Sequence, residues 1–524
     1  MMADAKLPPN GQGISADDQS AVIAFLSDPS HHGETVEHVE RIDTHGAIIF
    51  LAGKRAFKLK RAVKLPYMDF STLEKRAAAC RHEVRRNAAA APGIYVGALP
   101  IVVDPSGALT FGGRGKTIDW IVIMNRFAEA DVFDNLASEG RLSLELMVPL
   151  ANSIAEYHSA AQPRLEVDGD EIMARVITQT IRAFYEAADV FGDNNVRAYS
   201  RAIVNSLNAL SGLLRSRARN GQVRLCHGDL HLRNIVLRDS RPTLFDAIEF
   251  DDSLATIDVL YDIAFLLMDL WHKGLQRHAN AVLNAYASAA LKSDHLSGLA
   301  ALPVFLATRA GIRAMVAVDR AHVAGQTSAL AHAKKYFELA TDFLAPSSPR
   351  LIAVGGYSGT GKSTLAAALA PHFGRCPGAL HLRSDVERKR MFGIDPLERL
   401  PQQAYSEFAT ERTYQRLCTR ALAALKAGHS VVVDAVFISP HQRRRIEQAA
   451  AMAGTPFTGL WLTASEDRLA ARVRDRRGDA SDADVTVVKR QVETRSTGVC
   501  WEQIDANAPH ASVAANAQSL LDDR

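Results

Sequence analysis

The chain has 524 residues, of which 47% are apolar, and carries a formal net charge of +3. That length suggests about three compact units at roughly 150 residues each, and the near balance of charge gives no global attraction to nucleic acid or membrane. The five cysteines (Cys80, Cys226, Cys376, Cys418, Cys500) form no CxxC pair, which argues against a zinc site or disulfide framework and fits a reducing compartment.

Residues 1–18 hold Pro, Gly, Asp and Ser with little to bury, and are expected to be disordered. They contain no apolar core of the signal-peptide kind. No run of 18 uncharged apolar residues occurs, so no membrane span and a cytoplasmic location are expected. From residue 19 to 130 the pattern is strand-rich. AIIFLAG (47–53) and RAFKLKRAV (55–63) meet at a Gly-Lys turn and read as a hairpin. DFSTLEKRAAACRHEVRRNAAA (69–90) has Asp, Ser and Thr at its head and reads as a capped helix. IYVGALPIVVD and TIDWIVIMNRF (117–127) read as further strands.

Helical patterns dominate residues 131–344, with two long helical regions at 255–293 and 299–344. They are interrupted by VRLCHGDLHLRNIVLRDSRPTLFDAIEF (223–250), a loop flanked by short strands. APSSPR (345–350) reads as a linker. Residues 351–524 then alternate strand and helix, the mark of an α/β sheet. The expected fold class is therefore an α+β domain followed by an α/β domain with a parallel sheet.

Two stretches carry chemistry. In HGDLHLRN (227–234), Asp229 can accept a hydroxyl proton, and Asn234, five residues on, can turn its amide oxygen to Mg²⁺. A second metal carboxylate should follow on the next hairpin, where FDAIEFDD offers Asp246 or Glu249. Upstream, AFKLK offers Lys58 as the cation for the phosphates, with Lys60 on the same strand face as its rival. Glu83 of CRHEVRRN can pair with that lysine. THG (44–46) is the candidate for the first strand turn.

The second stretch is GYSGTGKST (356–364), which follows the strand pattern LIAV and precedes the helix pattern LAAALAPHF. That is the context a phosphate loop requires. Gly356, Gly359 and Gly361 let backbone N–H groups around Thr360 and Thr364 face phosphates, at a helix N-terminus that favours anions. Lys362 reaches the β- and γ-phosphates of ATP, and Ser363 offers a hydroxyl to Mg²⁺. Asp434, at the end of HSVVVD, is the Walker-B candidate, holding the metal through water. In LHLRSDVERKR, Asp385 and Arg388 form an Asp-x-x-Arg pair at the carboxyl end of a strand, where ligands of open sheets bind. Arg472 and Arg476 stand at i, i+4 and can close over a triphosphate. Arg443–Arg445, without interleaved aromatics, read as surface charge rather than a nucleic-acid track.

The lysine hairpin, HGDLHLRN and IDVLYDIAFLLMDL together resemble the aminoglycoside phosphotransferase-like kinases over roughly residues 35–345. That resemblance implies a bilobal protein-kinase-like fold, with residues 19–130 as one lobe and 131–344 as the other. It implies ATP and Mg²⁺ as cofactors, a small hydroxyl-bearing metabolite as acceptor, and Asp258 and Asp262 as a structural pair. His158 and His231 are structural in this reading. The family's metal position is ordinarily Ile-Asp-aromatic-Glu, and FDAIEFDD departs from it, which leaves Asp246 and Glu249 both open. Residues 350–515 resemble P-loop kinases of the gluconate kinase, chloramphenicol phosphotransferase and polynucleotide kinase type. There the aspartate at the place of Asp385 binds or deprotonates the acceptor hydroxyl.

The resemblances imply a bifunctional ATP-dependent phosphotransferase. Two other readings stand beside it. One part, by preference the N-terminal one, is a nucleotide-sensing regulatory module; or the C-terminal part is a polynucleotide 5′-hydroxyl kinase, which the near-neutral charge disfavours. The acceptors and the oligomeric state are not encoded in any motif.

Overall fold

The computed structural model describes residues 18–522 apart from 45, 66–67, 291–292, 325–326, 495 and 497. The stretch 1–18, expected to be disordered, lies outside the described residues except for Asp18, as does His45 of the THG turn. Contacts divide the chain into two compact units: Met1–Leu142 with Leu225–Ile257, and Ser143–Arg224 with Asp258–Arg524.

The first unit is built on strands β1 (Val39–Asp43), β2 (Ala47–Ala52) and β3 (Arg55–Lys60), the short pair β4 (Lys64–Leu65) and β5 (Met68–Asp69), then β6 (Tyr95–Val103), β7 (Leu109–Phe111) and β8 (Lys116–Asn125). Six of them form an antiparallel sheet in the order β1-β2-β3-β8-β6-β7. The hairpin of β2 and β3 closes on Gly53 and Lys54, with Ala52 opposite Arg55 and Gly53 at φ +54°, where glycine is favoured. Alternation along β3 sorts its side chains. Phe57 and Leu59 join Ile48, Phe50 and Ile121 in one core, under the helix Ser20–Ser27. Ala56 joins Cys80, Val122 and Met124 in another, against the helix Leu73–Asn87. Lys58 and Lys60 share the face of Ala56, so both ammonium groups point toward that helix. The helix is capped by the Thr72 hydroxyl, which accepts from the Lys75 N–H.

Strands β9 (Val223–Leu225) and β12 (Thr256–Asp258) stand at the unit boundaries, and β10 (Ile235–Arg238) pairs with β11 (Arg241–Leu244) as a hairpin after the HGDLHLRN loop.

The second unit begins with the helices Met147–Ala160, Gly169–Glu186 and Asp193–Arg219. The long helical region expected over 255–293 is broken by Gly274 at φ +74° into Val259–His272 and Gln276–Ala289. The one expected over 299–344 is two helices, Leu302–Ala324 and Thr327–Phe343. His295–His322 is long and apolar enough to cross a membrane by composition, and 72% of its most apolar window is buried inside the protein. Its Arg309 guanidinium sits over the Tyr261 ring, 3.9 Å from the centroid. The structural residues foreseen in this region are interior: Arg217 bonds both oxygens of Asp258 at 2.7 Å, and His158 bridges Asp262 (3.0 Å) and the Tyr286 hydroxyl (2.9 Å).

The same unit continues into an α/β layer of β13 (Leu351–Gly356), β14 (Leu380–Arg383), β15 (Val431–Asp434), β16 (Phe457–Thr463) and β17 (Glu502–Asp505). All pairings are parallel, in the order β14-β15-β13-β16-β17. Being covered on both faces, β13 and β15 are buried along their whole length. The outer edge of β14 meets the helix Gln276–Ala289. Asn284 donates to Ala379 O (3.2 Å) and accepts from His381 N–H (2.6 Å), the two bonds a neighbouring strand would make. Asn280 donates to Pro377 O and Ala379 O.

Candidate active sites

In the first unit, Glu83 is fully buried between two lysines. Its carboxylate takes Lys58 at 2.9 Å and Lys60 at 2.5 Å. Lys58 also meets Asp246 at 2.6 Å, and Lys60 also pairs with Glu249. Burial opposes charge on every member. The lysines nonetheless overcome it at Glu83, whose carboxyl is held at about 2. Burial opposes charge on Lys58 as well, but Asp246, Glu83 and Glu249 hold its ammonium well above its usual value. Glu249 goes the other way: burial, with the Glu83 charge beside it, outweighs Lys60 and raises its carboxyl.

The two carboxylates left open by the sequence are thus placed differently. Glu249 has a side chain 7% exposed and is taken by Lys60, whereas Asp246 is 40% exposed. Asp246 sits at φ +61°, a left-handed conformation costly for a residue with a Cβ. Its N–H donates to the Tyr95 hydroxyl, and the next N–H, of Ala247, donates to the Asn87 side chain. These bonds fix the turn that presents it.

The HGDLHLRN loop lies in the same unit. Asn234 donates its amide N–H to Asp229 O and Oδ2, both at 2.9 Å, which turns its amide oxygen away from that carboxylate. His231 Nε2 lies 3.3 Å from Asp229 Oδ2, and its Nδ1 accepts from Arg233 N–H. His227 holds the loop to Phe245 O through Nε2. One unit therefore contains Lys58, Glu83, Asp229, Asn234, Asp246 and Glu249.

In the second unit the phosphate loop runs from β13 into the helix Lys362–Leu369. Gly356, Gly359 and Gly361 have φ of +138°, +87° and +91°. A Cβ on Gly356 would stand 2.6 Å from Leu462 O, and one on Gly359 2.8 Å from Leu469 O, so neither position admits a side chain. Thr360 is buried, its hydroxyl bonded to Tyr357 O, while Thr364 is exposed. Lys362 is half-buried and donates to Tyr357 O at 2.9 Å. Burial lowers its ammonium to about 8, against the pull of Asp434 and Asp385. The Ser363 hydroxyl donates to Asp434 Oδ1 at 3.1 Å. A hydroxyl beside a carboxylate at the foot of this cradle is a donor set that fits Mg²⁺.

Asp434 is also bonded by His381 Nε2 at 2.6 Å and approached by Arg383 at 3.8 Å. Burial raises and these partners lower its carboxyl, with the net result below its usual value. Asp385 shows the reverse. Burial, then the charge of Asp434, raise it. A raised carboxyl beside a lowered one is the arrangement expected of a base next to a metal ligand. Lys362, Ser363, Asp385, Asp434, Arg472 and Arg476 all line one cavity of about 1030 Å³.

Two sequence expectations change. The helix carrying Arg472 ends at Asp475, so Arg476 is extended backbone beyond it rather than one turn along the same face. Arg472 reaches Gly359 O and Thr360 O of the phosphate loop at 3.4 Å. Arg443 is interior, 3% exposed, and ties together Phe437 O, Ile438 O, Ser496 and Gly498 O. Sequence reasoning passed over His381, Arg383 and Asp479, which join the second site only because β14 pairs with β15 and places Arg383 opposite Asp434.

Comparison with known proteins finds two families, and the stretch matched by the first runs across both compact units. Residues 128–302 match the phosphotransferase enzyme family, and residues 351–497 match the AAA domain family. The chain is 29% identical over 486 residues to uncharacterized proteins of Mycobacterium bovis and Mycobacterium tuberculosis, covering 91% of this chain and 94% of theirs. Among solved structures, a gluconokinase from Sinorhizobium meliloti matches 33% of this chain and 91% of its own at 23% identity, with a TM-score of 0.25. A choline/ethanolamine kinase family protein from Mesorhizobium loti matches 62% of this chain and 93% of its own at 14% identity, with a TM-score of 0.38.

Proposed function

We propose, for a chain that joins a phosphotransferase-family domain to an AAA-type P-loop domain, that it transfers the γ-phosphoryl group of ATP to hydroxyls of small molecules at two separate sites. What supports this reading is that each compact unit brings together residues of the types phosphoryl transfer uses: an aspartate suited to take the acceptor proton, a lysine suited to the phosphates and paired oxygen donors suited to a metal.

In the first unit Asp229 takes the acceptor proton and Asn234 with Asp246 holds the metal; the exposure of Asp246 and the engagement of Glu249 by Lys60 favour Asp246 for that role. Lys58, kept charged and steered by Glu83, addresses the phosphates. In the second unit the glycine cradle and Lys362 hold the β- and γ-phosphates, and Ser363 with Asp434 holds the metal. Mg²⁺, when bound at either place, supplies charge neutralisation on the phosphate oxygens. Asp385 takes the proton of the acceptor hydroxyl. In both transfers the bond from the γ-phosphorus to the β–γ bridging oxygen breaks, the acceptor oxygen bonds to phosphorus, and the acceptor proton passes to the aspartate. ADP leaves with the electron pair.

The test is transfer from γ-labelled ATP across a panel of hydroxylated metabolites, with wild type, Asp229→Ala and Lys362→Ala. Two activities, each removed by one substitution, support the reading. A second reading has its own observation: Lys58 is paired with Asp246, the candidate metal carboxylate. If ATP binds the first unit but only Lys362→Ala removes transfer, that unit is a nucleotide sensor.

A further inference from the structure

The helix Gln276–Ala289 lies in the stretch matched by the phosphotransferase enzyme family, yet one of its faces meets the parallel sheet of the P-loop region. Asn280 and Asn284 stand one turn apart on that face, and Asn280 is 4% exposed. Their amides form a closed set. Asn284 Nδ2 donates to Asn280 Oδ1 at 3.0 Å and to Ala379 O at 3.2 Å. Asn280 Nδ2 donates to Pro377 O and Ala379 O, both at 3.0 Å. These bonds leave Asn284 Oδ1 to accept from the His381 N–H at 2.6 Å. The approach is close: a Cβ on Gly378 would stand 2.8 Å from Asn280 Nδ2. The helix is anchored elsewhere too. The Tyr286 hydroxyl and His158 Nδ1 are 2.9 Å apart, and Ala287 O accepts from Arg390 (3.5 Å) and Arg420 (3.3 Å).

Apolar side chains can cover a sheet without needing hydrogen bonds, whereas a buried amide must find partners for its polar groups. A fully satisfied amide pair fixes one arrangement in exchange. What this pair fixes is β14, the edge strand of the sheet. β15 holds β14 on one side, and Asn284 holds it on the other. The strand carries His381, whose Nε2 bonds Asp434 Oδ2 at 2.6 Å, while Asp434 Oδ1 accepts from the Ser363 hydroxyl. His381 also borders a cavity of about 410 Å³, shared with Ala281, Thr364, Leu365 and Pro371. Packing therefore does not enclose it on every side, and the hydrogen bonds at its backbone and its ring carry its placement.

We propose that Asn284 is a positioning residue of the P-loop site: by bonding the backbone N–H of His381 it sets the imidazole on Asp434 and so orients that carboxylate for a divalent metal ion. This rests on the reading of Asp434 as a metal carboxylate in a kinase site. Outer partners of this kind orient a ligand and raise its affinity without touching the ion. The metal site then takes in a helix from outside the AAA-matched residues 351–497.

The experiment uses the full chain carrying Asp246→Asn, which removes the candidate metal carboxylate of the first unit. Mn²⁺, a paramagnetic stand-in for Mg²⁺, is titrated by electron paramagnetic resonance with a non-hydrolysable ATP analogue present. Asn284→Leu and His381→Gln should each weaken Mn²⁺ binding roughly tenfold, as loss of an outer partner does. Asn284→Leu added to His381→Gln should weaken it by less than about twofold more, because both act along one path. Should Asn284→Leu fail to fold, Asn284→Ala, which favours the helix, replaces it in the same cycle. Unchanged Mn²⁺ affinity in the Asn284 variant, the same loss from it with and without His381, or no Mn²⁺ binding by the parent chain each overturns the inference. Transfer from ATP with Mg²⁺, measured on the same proteins, tests the kinase reading separately. Binding that follows the cycle without transfer to any acceptor retains the inference and overturns the kinase reading. Transfer whose Mg²⁺ requirement ignores Asn284 overturns the inference and leaves the kinase reading intact.

Discussion

The two candidate sites manage their lysines in opposite ways. In the first unit Lys58 and Lys60 are locked into a network with Glu83, Asp246 and Glu249, and Lys58 is held charged well above its usual pKa. At the phosphate loop Lys362 donates to a carbonyl, and burial brings its pKa down to about 8. The first site balances its own charges within the protein. The second leaves its lysine bonded to a backbone carbonyl rather than to a carboxylate. Nucleotide binding should therefore compete with internal ion pairs in the first unit and meet, in the second, a lysine that forms no ion pair among the described residues.

The largest expected effects are on transfer. Asp229→Asn and Asp385→Asn should each reduce kcat at their own site by roughly 10²–10⁴, the range for losing a general base, with KM for ATP little changed. A single substitution that silences both activities would dissolve the distinction between the sites. Next is stability. Glu83→Ala leaves two buried lysines short of a partner and should cost about 3–5 kcal/mol, read by urea denaturation. Lys362→Met should cost nothing of that order. The acid limb separates them too. The Glu83 carboxyl is lowered from 4.5 to about 2, so its contribution is present above the unfolded value and is lost as pH falls from about 4.5 through about 2. Glu83→Gln should flatten that part of the acid denaturation curve.

A smaller effect concerns Lys362. Phosphate favours its charged form, so above pH about 8 binding must take up a proton. Affinity for tripolyphosphate without divalent metal should fall by up to about tenfold per pH unit there, and Lys362→Met should remove the slope. The smallest lies at His381, bonded to Asp434. His381→Gln should raise the Mg²⁺ concentration needed for half-maximal turnover by roughly tenfold, as loss of a partner behind a metal ligand does. An unchanged Mg²⁺ requirement would mean that Asp434 needs no such support.

Legibility in the sequence followed the range of the interactions. The phosphate loop could be read because glycine spacing, lysine and flanking periodicity lie within one strand-turn-helix. That Asp229 and Asn234 share one loop could be read for the same reason, being five residues apart, whereas the hydrogen bond between their side chains could not. Lys58 and Lys60 were legible as sharing a face, because a strand alternates with period two, but not as two ends of one network. Glu83 is 25 residues from Lys58, and Asp246 is 188 residues from it. His381 was missed because nothing local marks it; only the parallel pairing of β14 with β15 brings it to Asp434. Arg443 misled because arginine runs are usually solvated, and burial against carbonyls leaves no trace in composition.

The side chain of Asn284 occupies the place of a sixth strand on the edge of the parallel sheet, meeting both His381 N–H and Ala379 O. Open sheet edges recruit other chains by the same hydrogen bonds. Severing the chain at 345–350 would strip Asn280 and Asn284 from that edge and leave β14 free to pair with its counterpart in another molecule. The P-loop region released from the preceding helices should accordingly self-associate, with its aggregation seeded at Leu380–Arg383.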